Sequence, residues 1–476
     1  MALVIPLSRG AGPISRQVYL ALRGAIVQGT FRPGDRLPAT RDLAEQLGVS
    51  RTVVLLAYDQ LLSEGFVEGR SGSGTYASKV FGASPRAAAD SAQLRLSRFG
   101  TSAATAASTV DFPRRRSAAL RYDFAYRRSG VDEFPFEVWR RILMRRARKA
   151  SVRHFDYGPA AGSLALREAI AVHLRRSRAA VCDASQVIIV NGSQQALDLA
   201  ARVLMERGDR VVVEDPQYQG AREVFRAAGA RLHPVPVDRE GLNPAKLPRG
   251  ARIAFVTPSH QFPTGAILPL ARRLALLEWA KKEEAVVIED DYDGEFRYEG
   301  QPVESMQGLD TEGRVIYLGT FSRTIFPALR IGYLIAPKSL VPAFTSGKWL
   351  CDRHTATLEQ ETLAEFISSG AYERHLRRTR RANAVRRAAL LEAIHKQLRG
   401  FDVTGDGSGT HVVLWPGKPA SEEDLIARAA SQEVGVYGIA KYFLRTPARA
   451  GLMLGYSGMN EQQIREGIRC LGKAIA

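Results

Sequence analysis

Cysteine is scarce in this chain of 476 residues: only Cys182, Cys351 and Cys470 occur. They lie far apart, with no C-x-x-C pair and no His/Cys cluster, which excludes a disulfide framework and a zinc site of the usual local spacing. A reducing, cytoplasmic setting is expected. Long hydrophobic runs are missing too. None approaches the roughly 20 residues of a membrane-spanning helix, and the apolar patch from Ala2 to Leu7 lacks both the basic flank and the length of a signal sequence. The expectation is a soluble protein without a membrane partner. Acidic residues are in deficit, with 49 Asp and Glu against 67 Lys and Arg, a net charge of +18 and a pI near 10.0. Such an excess suits a polyanion such as nucleic acid, or simply keeps a chain in solution. The length, with 45% hydrophobic residues, calls for at least two domains.

What is present begins with helical periodicity. Ile14, Val18, Leu22 and Ile26 recur at helical spacing and stop at Gly29, and Phe31 to Asp35 reads as a turn. A second helix is predicted from Thr40 as N-cap through Leu43, Ala44 and Leu47. Gly48 breaks it before Ser50 caps a third helix that runs to about Ser63. Phe66 and Val67, a glycine-rich turn from Arg70 to Gly74, and Thr75 to Ala77 then read as a β-hairpin. Two short helices across a tight glycine turn, followed by a hairpin, make a helix-turn-helix with a wing.

The stretch RPGDRLPATRDLAEQLGVSRTVVLLAYDQLLSEGFVEGRSGSGTY resembles the winged helix-turn-helix domain of the GntR family, and the domain is assigned to residues 10–78. The resemblance implies that the third helix enters the major groove of double-stranded DNA. There Arg41 and Arg51, at the starts of the second and third helices, grip phosphate and base edges, and Thr52, Gly72 and Gly74 match further contact positions. Leu55 and Leu56 stand where relatives often carry another arginine. They either meet a thymine methyl or pack inward.

Residues 79–120 are rich in Ala, Ser, Gly and Arg without a sustained period, and read as a flexible linker that includes the basic run Arg114, Arg115, Arg116. That run either brushes DNA phosphates or is solvated. If flexible, the segment spans roughly 35 Å root-mean-square, enough for the DNA-binding unit to lie on another subunit.

Beyond Leu120 strands alternate with helices, the pattern of an α/β fold with a mainly parallel sheet covered on both faces. Strands are expected at Val187 to Val190, Arg210 to Glu214, Arg231 to Val237, Arg252 to Thr257, Ala285 to Glu289, Arg314 to Leu318 and Ile331 to Ala336, a seven-stranded sheet. Ligands bind such sheets at the carboxyl ends of the strands. Asn191 to Gln195 opens a helix there, with Ser193 and Gln194 placed for phosphate. Tyr218 follows the second strand, TPSHQFPTG the fourth, and Asp290, Asp291 and Tyr292 the fifth. A buried acidic pair is costly without a cation or protons, so a ligand-binding role is expected there.

From Asp123 onward, DEFPFEVWRR, YGPAAGSLALREAI, VNGSQQALDLA, VEDPQYQGAR, IEDDYDGEFRY and YLGTFSRTIFPALRIGY resemble fold-type I enzymes that use pyridoxal 5'-phosphate (PLP), and specifically the MocR/GabR subgroup of GntR regulators. The resemblance implies an aminotransferase-like, effector-binding domain over residues 121–476, with a large part of about 160–370 and a small part from about 121–159 and 371–476. It implies a cofactor site in which Ser193 and Gln194 form the phosphate loop and Tyr218 stacks on the ring. Asp290 would pair with the pyridine nitrogen and Tyr292 with the ring hydroxyl, while Thr320, Ser322 and Arg330 complete the phosphate cup. Arg449 matches a substrate-carboxylate arginine. The segment Tyr372 to Leu398 reads as the helix joining the two parts.

Two positions depart from the enzymes. Phe262 replaces an asparagine, and Arg323 stands where the lysine forms a Schiff base. A guanidinium stays protonated and cannot be the amine that attacks an aldehyde. The resemblance therefore implies a DNA-binding transcription regulator, a domain-swapped homodimer that senses a small-molecule effector, with PLP at most non-covalent. The alternative is an aminotransferase with an appended DNA-binding unit. PLP alone, a PLP amino-acid adduct, or another anion suited to Arg323 all remain open as the ligand.

Overall fold

The computed structural model describes residues 5–8, 10, 12–79, 95–109, 120–126, 133–154, 156–298, 300 and 303–475. It divides into two compact units, Met1–Arg95 and Leu96–Ala476. Arg114, Arg115 and Arg116 lie outside the described residues.

The first unit holds α1 (Ile14–Val27), α2 (Thr40–Leu47), α3 (Arg51–Ser63), β1 (Val67–Arg70) and β2 (Gly74–Ala77). Apolar residues at helical spacing give each helix one buried stripe. Val18, Leu22 and Ile26 meet Leu43 of α2 and Val54, Ala57 and Leu61 of α3 in a single core. Gly48 ends α2 in the left-handed region at φ 66°, which lets the chain turn into α3 within three residues. Tyr58 Oη ties α3 to the Pro38 carbonyl at 2.7 Å. The N-cap of α2 is Ala39 rather than Thr40, which is the first helical residue; the Thr40 hydroxyl instead accepts from Arg51 Nε at 3.4 Å. The wing pairs Val67 with Ala77 and Arg70 with Gly74 in antiparallel register.

The second unit runs α4 (Arg98–Thr109), β3 (Tyr122–Asp123), α5 (Phe136–Lys149), α6 (Leu164–Arg178), β4 (Val187–Val190), α7 (Ser193–Leu204), β5 (Arg210–Asp215), α8 (Gln219–Ala227), β6 (Arg231–Asp238), β7 (Gly241–Leu242), β8 (Ala251–Val256), α9 (Leu270–Lys282), β9 (Val286–Asp291), α10 (Met306–Leu309), β10 (Val315–Thr320) and β11 (Gly332–Ile335). It continues with α11 (Val341–Asp352), α12 (Thr357–Ser368), α13 (Ala371–Gln397), β12 (Phe401–Thr404), β13 (His411–Pro416), α14 (Glu422–Ser431), β14 (Val434–Gly435), β15 (Tyr437–Gly438), β16 (Leu452–Gly455) and α15 (Glu461–Ile475).

The main sheet has the order β4-β11-β10-β9-β8-β5-β6-β7. All seven expected strands are in it. Among the described residues it gains an eighth, β7, a two-residue strand that pairs antiparallel with the end of β6 after a tight turn. Two residues are too few for a period-2 signal, so the sequence pattern could not announce it. Strands β6, β5, β8, β9 and β10 are parallel neighbours, and β11 runs antiparallel between β10 and β4. β4 is buried on both faces, as expected for a strand between helix layers. A second sheet, β12-β13-β16-β15, packs with α13 and α15 around Tyr122, Phe124, Leu390, Ile394 and Leu454.

Two boundaries differ from the sequence reading. Residues 98–109, inside the expected linker, form α4, whose apolar residues apart from Phe99 are alanines, too small to stand out among Ser and Thr. The expected small part included residues 121–159, yet Phe134, Trp139 and Ile142 around α5 pack with Ile189 and Tyr317 of the main sheet. Only the β3 region joins the smaller core.

Candidate functional site

In the first unit the DNA-facing candidates are exposed together. Arg41 lies in the first turn of α2, and Arg51 and Thr52 open α3, all three exposed. Leu55 and Leu56 are 37% and 55% exposed, which decides between packing inward and facing outward in favour of the latter. Gly72 and Gly74 have φ of +73° and +115°, and a Cβ on Gly74 would lie 2.9 Å from Arg36 Nε. A side chain at Gly74 would therefore strain the backbone and press on Arg36, so the wing needs glycine there.

In the second unit the carboxyl ends of β4, β5, β8, β9 and β10 deliver the candidate ligand residues. The anion end is built at the start of α7. Gly192, at φ +86°, turns β4 into the helix, and a Cβ there would fall 2.8 Å from Arg330 Nη2. Arg330, itself left-handed at φ 52°, donates to the Asn191 carbonyl at 2.9 Å. Amides in the first turn of a helix have no intrahelical acceptor, so Ser193 and Gln194 offer N–H groups at the positive end of the α7 dipole. Thr320 and Ser322 join their hydroxyls at 3.1 Å at the end of β10.

Behind this loop stands a brace that the sequence did not announce. Lys348, fully buried, pairs with Asp352, which also accepts from Asn191 Nδ2 at 2.7 Å and Gln195 Nε2 at 2.8 Å.

The two acids at the end of β9 have opposite fates. Asp291 is neutralised by Arg178 at 2.8 Å and accepts from Tyr317 Oη at 2.6 Å, a buried structural pair. Asp290 has no cation, and its Oδ1 is buried without a hydrogen-bond partner. Burial first, and then the charges of Asp291, Asp293 and Glu214, push its carboxyl up to about 7. A buried acceptor left open costs free energy that a cationic or N–H-bearing ligand would recover.

Folding therefore takes up a proton at Asp290 between the ordinary carboxylate range and about pH 7, and the resulting stability is lost as pH rises through that window. Asp290→Asn is accordingly expected to melt above the parent at pH 8, by an upper bound of about 4 kcal/mol, with the gap closing towards pH 4. Thermal melts of the ligand-free protein across that range measure it.

Around Asp290 lies an aromatic wall. Phe262 meets Tyr126, Tyr218, Tyr292 and Tyr442 with centroid separations of 5.3, 6.2, 5.9 and 5.0 Å. Tyr218 donates to Gln194 Oε1 at 3.2 Å, which links the aromatic edge to the anion loop. Tyr292 Oη lies 2.9 Å from His260 Nδ1, and that nitrogen also faces Asp293 at 3.0 Å. His411, packed on Tyr126 and Phe262, is pushed down to about 3 by burial and then by His260, so it is neutral.

Arg323 is seated against Tyr126. Its guanidinium stacks 3.7 Å from the centre of the Tyr126 ring, and Nη1 donates to the Tyr126 carbonyl at 2.9 Å. Arg449 is held on the smaller sheet, 3.3 Å from Asp402 and 4.4 Å over the Trp415 ring. Its ion pair is exposed, while the Trp415 ring beneath it belongs to the apolar cluster that holds Tyr126 and Phe262. Sequence reasoning missed His260, Asp293, His411, Tyr126 and the Lys348 brace. His260 was visible only as part of TPSHQFPTG.

A helix-turn-helix with a wing, joined to an α/β unit with an anion cup and an open buried carboxylate, defines a DNA-binding protein carrying an aminotransferase fold. Residues 14–77 match the family described as bacterial regulatory proteins, gntR family, and residues 127–471 match aminotransferase class I and II. The chain is 38% identical over 467 residues to the probable rhizopine catabolism regulatory protein MocR of Rhizobium meliloti, covering 97% of this chain and 94% of that one. It is 32% identical to the pyridoxine biosynthesis transcriptional regulator PdxR of Corynebacterium glutamicum, covering 95% and 94%. Among solved structures, a kynurenine aminotransferase of Pyrococcus horikoshii superposes with a TM-score of 0.70 at 27% identity, covering 80% of this chain and 95% of that one. LysN, an α-aminoadipate aminotransferase of Thermus thermophilus seen with N-(5'-phosphopyridoxyl)-L-leucine, also gives 0.70, at 29% identity, covering 78% and 96%. The chain belongs to the GntR family of transcription regulators, in the MocR-type branch that carries an aminotransferase class I and II domain. Among the described residues no helix is long and apolar enough to cross a membrane.

Proposed function

We propose that this regulator binds promoter DNA through α3 and the wing as a domain-swapped homodimer, and that its aminotransferase-like unit is a receptor for a PLP-like ligand held without a covalent bond. The observation that carries the reading is Asp290, a buried carboxylate with an open oxygen at the same strand ends as the anion cup. Those residues fit PLP. Ser193, Gln194, Thr320, Ser322 and Arg330 would take its phosphate, Asp290 its ring nitrogen, Tyr292 its hydroxyl, and Tyr218 would cover the ring. Bound PLP supplies an electrophilic carbonyl and an electron sink. Using these in turnover requires an amine that captures the carbonyl and moves the substrate proton, and Arg323 supplies neither. That weighs against the enzyme reading.

An effector can shift DNA affinity only by binding two arrangements of the protein unequally. The test is duplex selection with the full-length protein followed by titration of the selected DNA with and without PLP. The expected result is paired half-sites and a change of fivefold or more in affinity on adding PLP. Equal affinity with saturated ligand would refute the receptor reading, and failure to select any duplex would refute the DNA reading.

A further inference from the structure

A cavity of about 790 Å³ lies between α4, the second half of α7 and the end of α8, on the far side of these helices from the Asp290 pocket. Its wall carries Arg98, Arg202, Arg207 and Arg226 against a single acid, Asp198. Arg202 is bound to Asp198 at 2.8 Å, and Arg226 leans on Glu223 at 3.1 Å. Arg98 and Arg207 have no acidic partner among the described residues. The Arg207 stem runs close over the turn that ends α8: Gly229 sits there at φ +92°, and a Cβ on it would come within 2.9 Å of Arg207 Cγ. Arg207 lines the cavity and, like Arg98, is exposed to solvent. The first turn of α4 enters the same wall through Arg98, Phe99, Thr101 and Ser102, adding the positive end of a helix dipole. Phe99 is 49% exposed, an aromatic face beside the charges.

We infer that this cavity is a second ligand site, for a small phosphate monoester with a flat apolar body. The volume falls in the range of small-molecule pockets, and the groove is open to solvent. Two arginines without carboxylates match a dianion through forked N–H pairs, and Phe99 gives the body a face to rest on. The position has a consequence for signalling. α7, 12 residues long, begins at Ser193 and ends at this cavity about 18 Å away, and α8, nine residues long, begins beside Tyr218 and ends there about 13 Å away. α4 is the first element of the second unit, so a ligand here would fasten it to the two helices that start at the first pocket.

The test uses the full chain and phenyl phosphate as the probe, followed by calorimetry. Saturable binding is expected. The pair Arg98→Gln and Arg207→Gln should weaken one binding step at least 10-fold, Phe99→Ala should weaken that step about threefold more for phenyl phosphate than for inorganic phosphate, and Arg330→Gln should alter only a separate step, that of the first pocket. Absence of saturable heat would overturn the inference. So would loss of binding in Arg330→Gln with retention in the double variant, which would put the phosphate in the first pocket. Displacement of the probe by random duplex DNA, abolished in the double variant, would overturn it in favour of a nucleic-acid surface. The step that depends on Arg98 and Arg207 is independent of whether PLP binds near Asp290.

Discussion

Arg323→Lys is expected to let borohydride label the protein with PLP near stoichiometrically at residue 323, where the parent should take no label, read as a mass increase on that peptide. The argument rests on one proton. A guanidinium holds its charge at any working pH, whereas a lysine amine beside other cations can reach the neutral nucleophilic state. On the proposed reading the anion cup, the open Asp290 and the Tyr292 phenol stand where the ligand would lie, although Phe262 also departs from the enzymes. Lysine is also shorter and lacks the fork that engages the Tyr126 carbonyl and ring face, so it should leave that seat. No label at saturating PLP would mean that the cup no longer takes the phosphate, and the receptor reading would fall with it. A label on the parent protein at another lysine would refute the assignment of position 323.

Arg51→Ala is expected to weaken binding to the selected duplex by about 10- to 100-fold at physiological salt, corresponding to roughly 1–3 kcal/mol, without changing the oligomeric state. Arg51 is exposed at the first turn of α3, and its side chain reaches Thr40 through a long bond, so its removal should not disturb the fold. The salt dependence separates its two candidate roles. If Arg51 grips a phosphate, the variant lowers the slope of log affinity against log salt by about one and weakens all sequences alike. If it reads a base edge, the variant relaxes sequence preference at one position. Unchanged affinity would remove α3 from the DNA interface.

Residues close in sequence were legible, because local propensity and period speak for themselves. The glycine turn of the wing, the α2–α3 pair and each main-sheet strand of four or more residues follow from apolar spacing and turn chemistry. The site was legible only where its pieces sit at strand ends, as Ser193, Asp290 and Thr320 do. What remained hidden depends on partners far along the chain. Arg323 finds Tyr126, 197 positions away, and Asp291 finds Arg178, 113 away. The sequence could say that an acidic pair needs a cation, but not which acid would receive it. It also could not say that the remaining one, Asp290, would be left open. α4 escaped for another reason: apart from Phe99 its apolar residues are alanines, too small to stand out in a sequence, and it packs against α8.

The seat of Arg323 also sets a threshold for entry. Its guanidinium gains from the Tyr126 ring about 0.5–2 kcal/mol and from the carbonyl about 1.5–3 kcal/mol. A visitor that recruits this arginine must first replace both interactions, so weak mimics would be filtered out while a strong dianion passes. A visitor that leaves the arginine alone meets no such hurdle. Two molecules of equal charge could thus receive different answers from the same chamber.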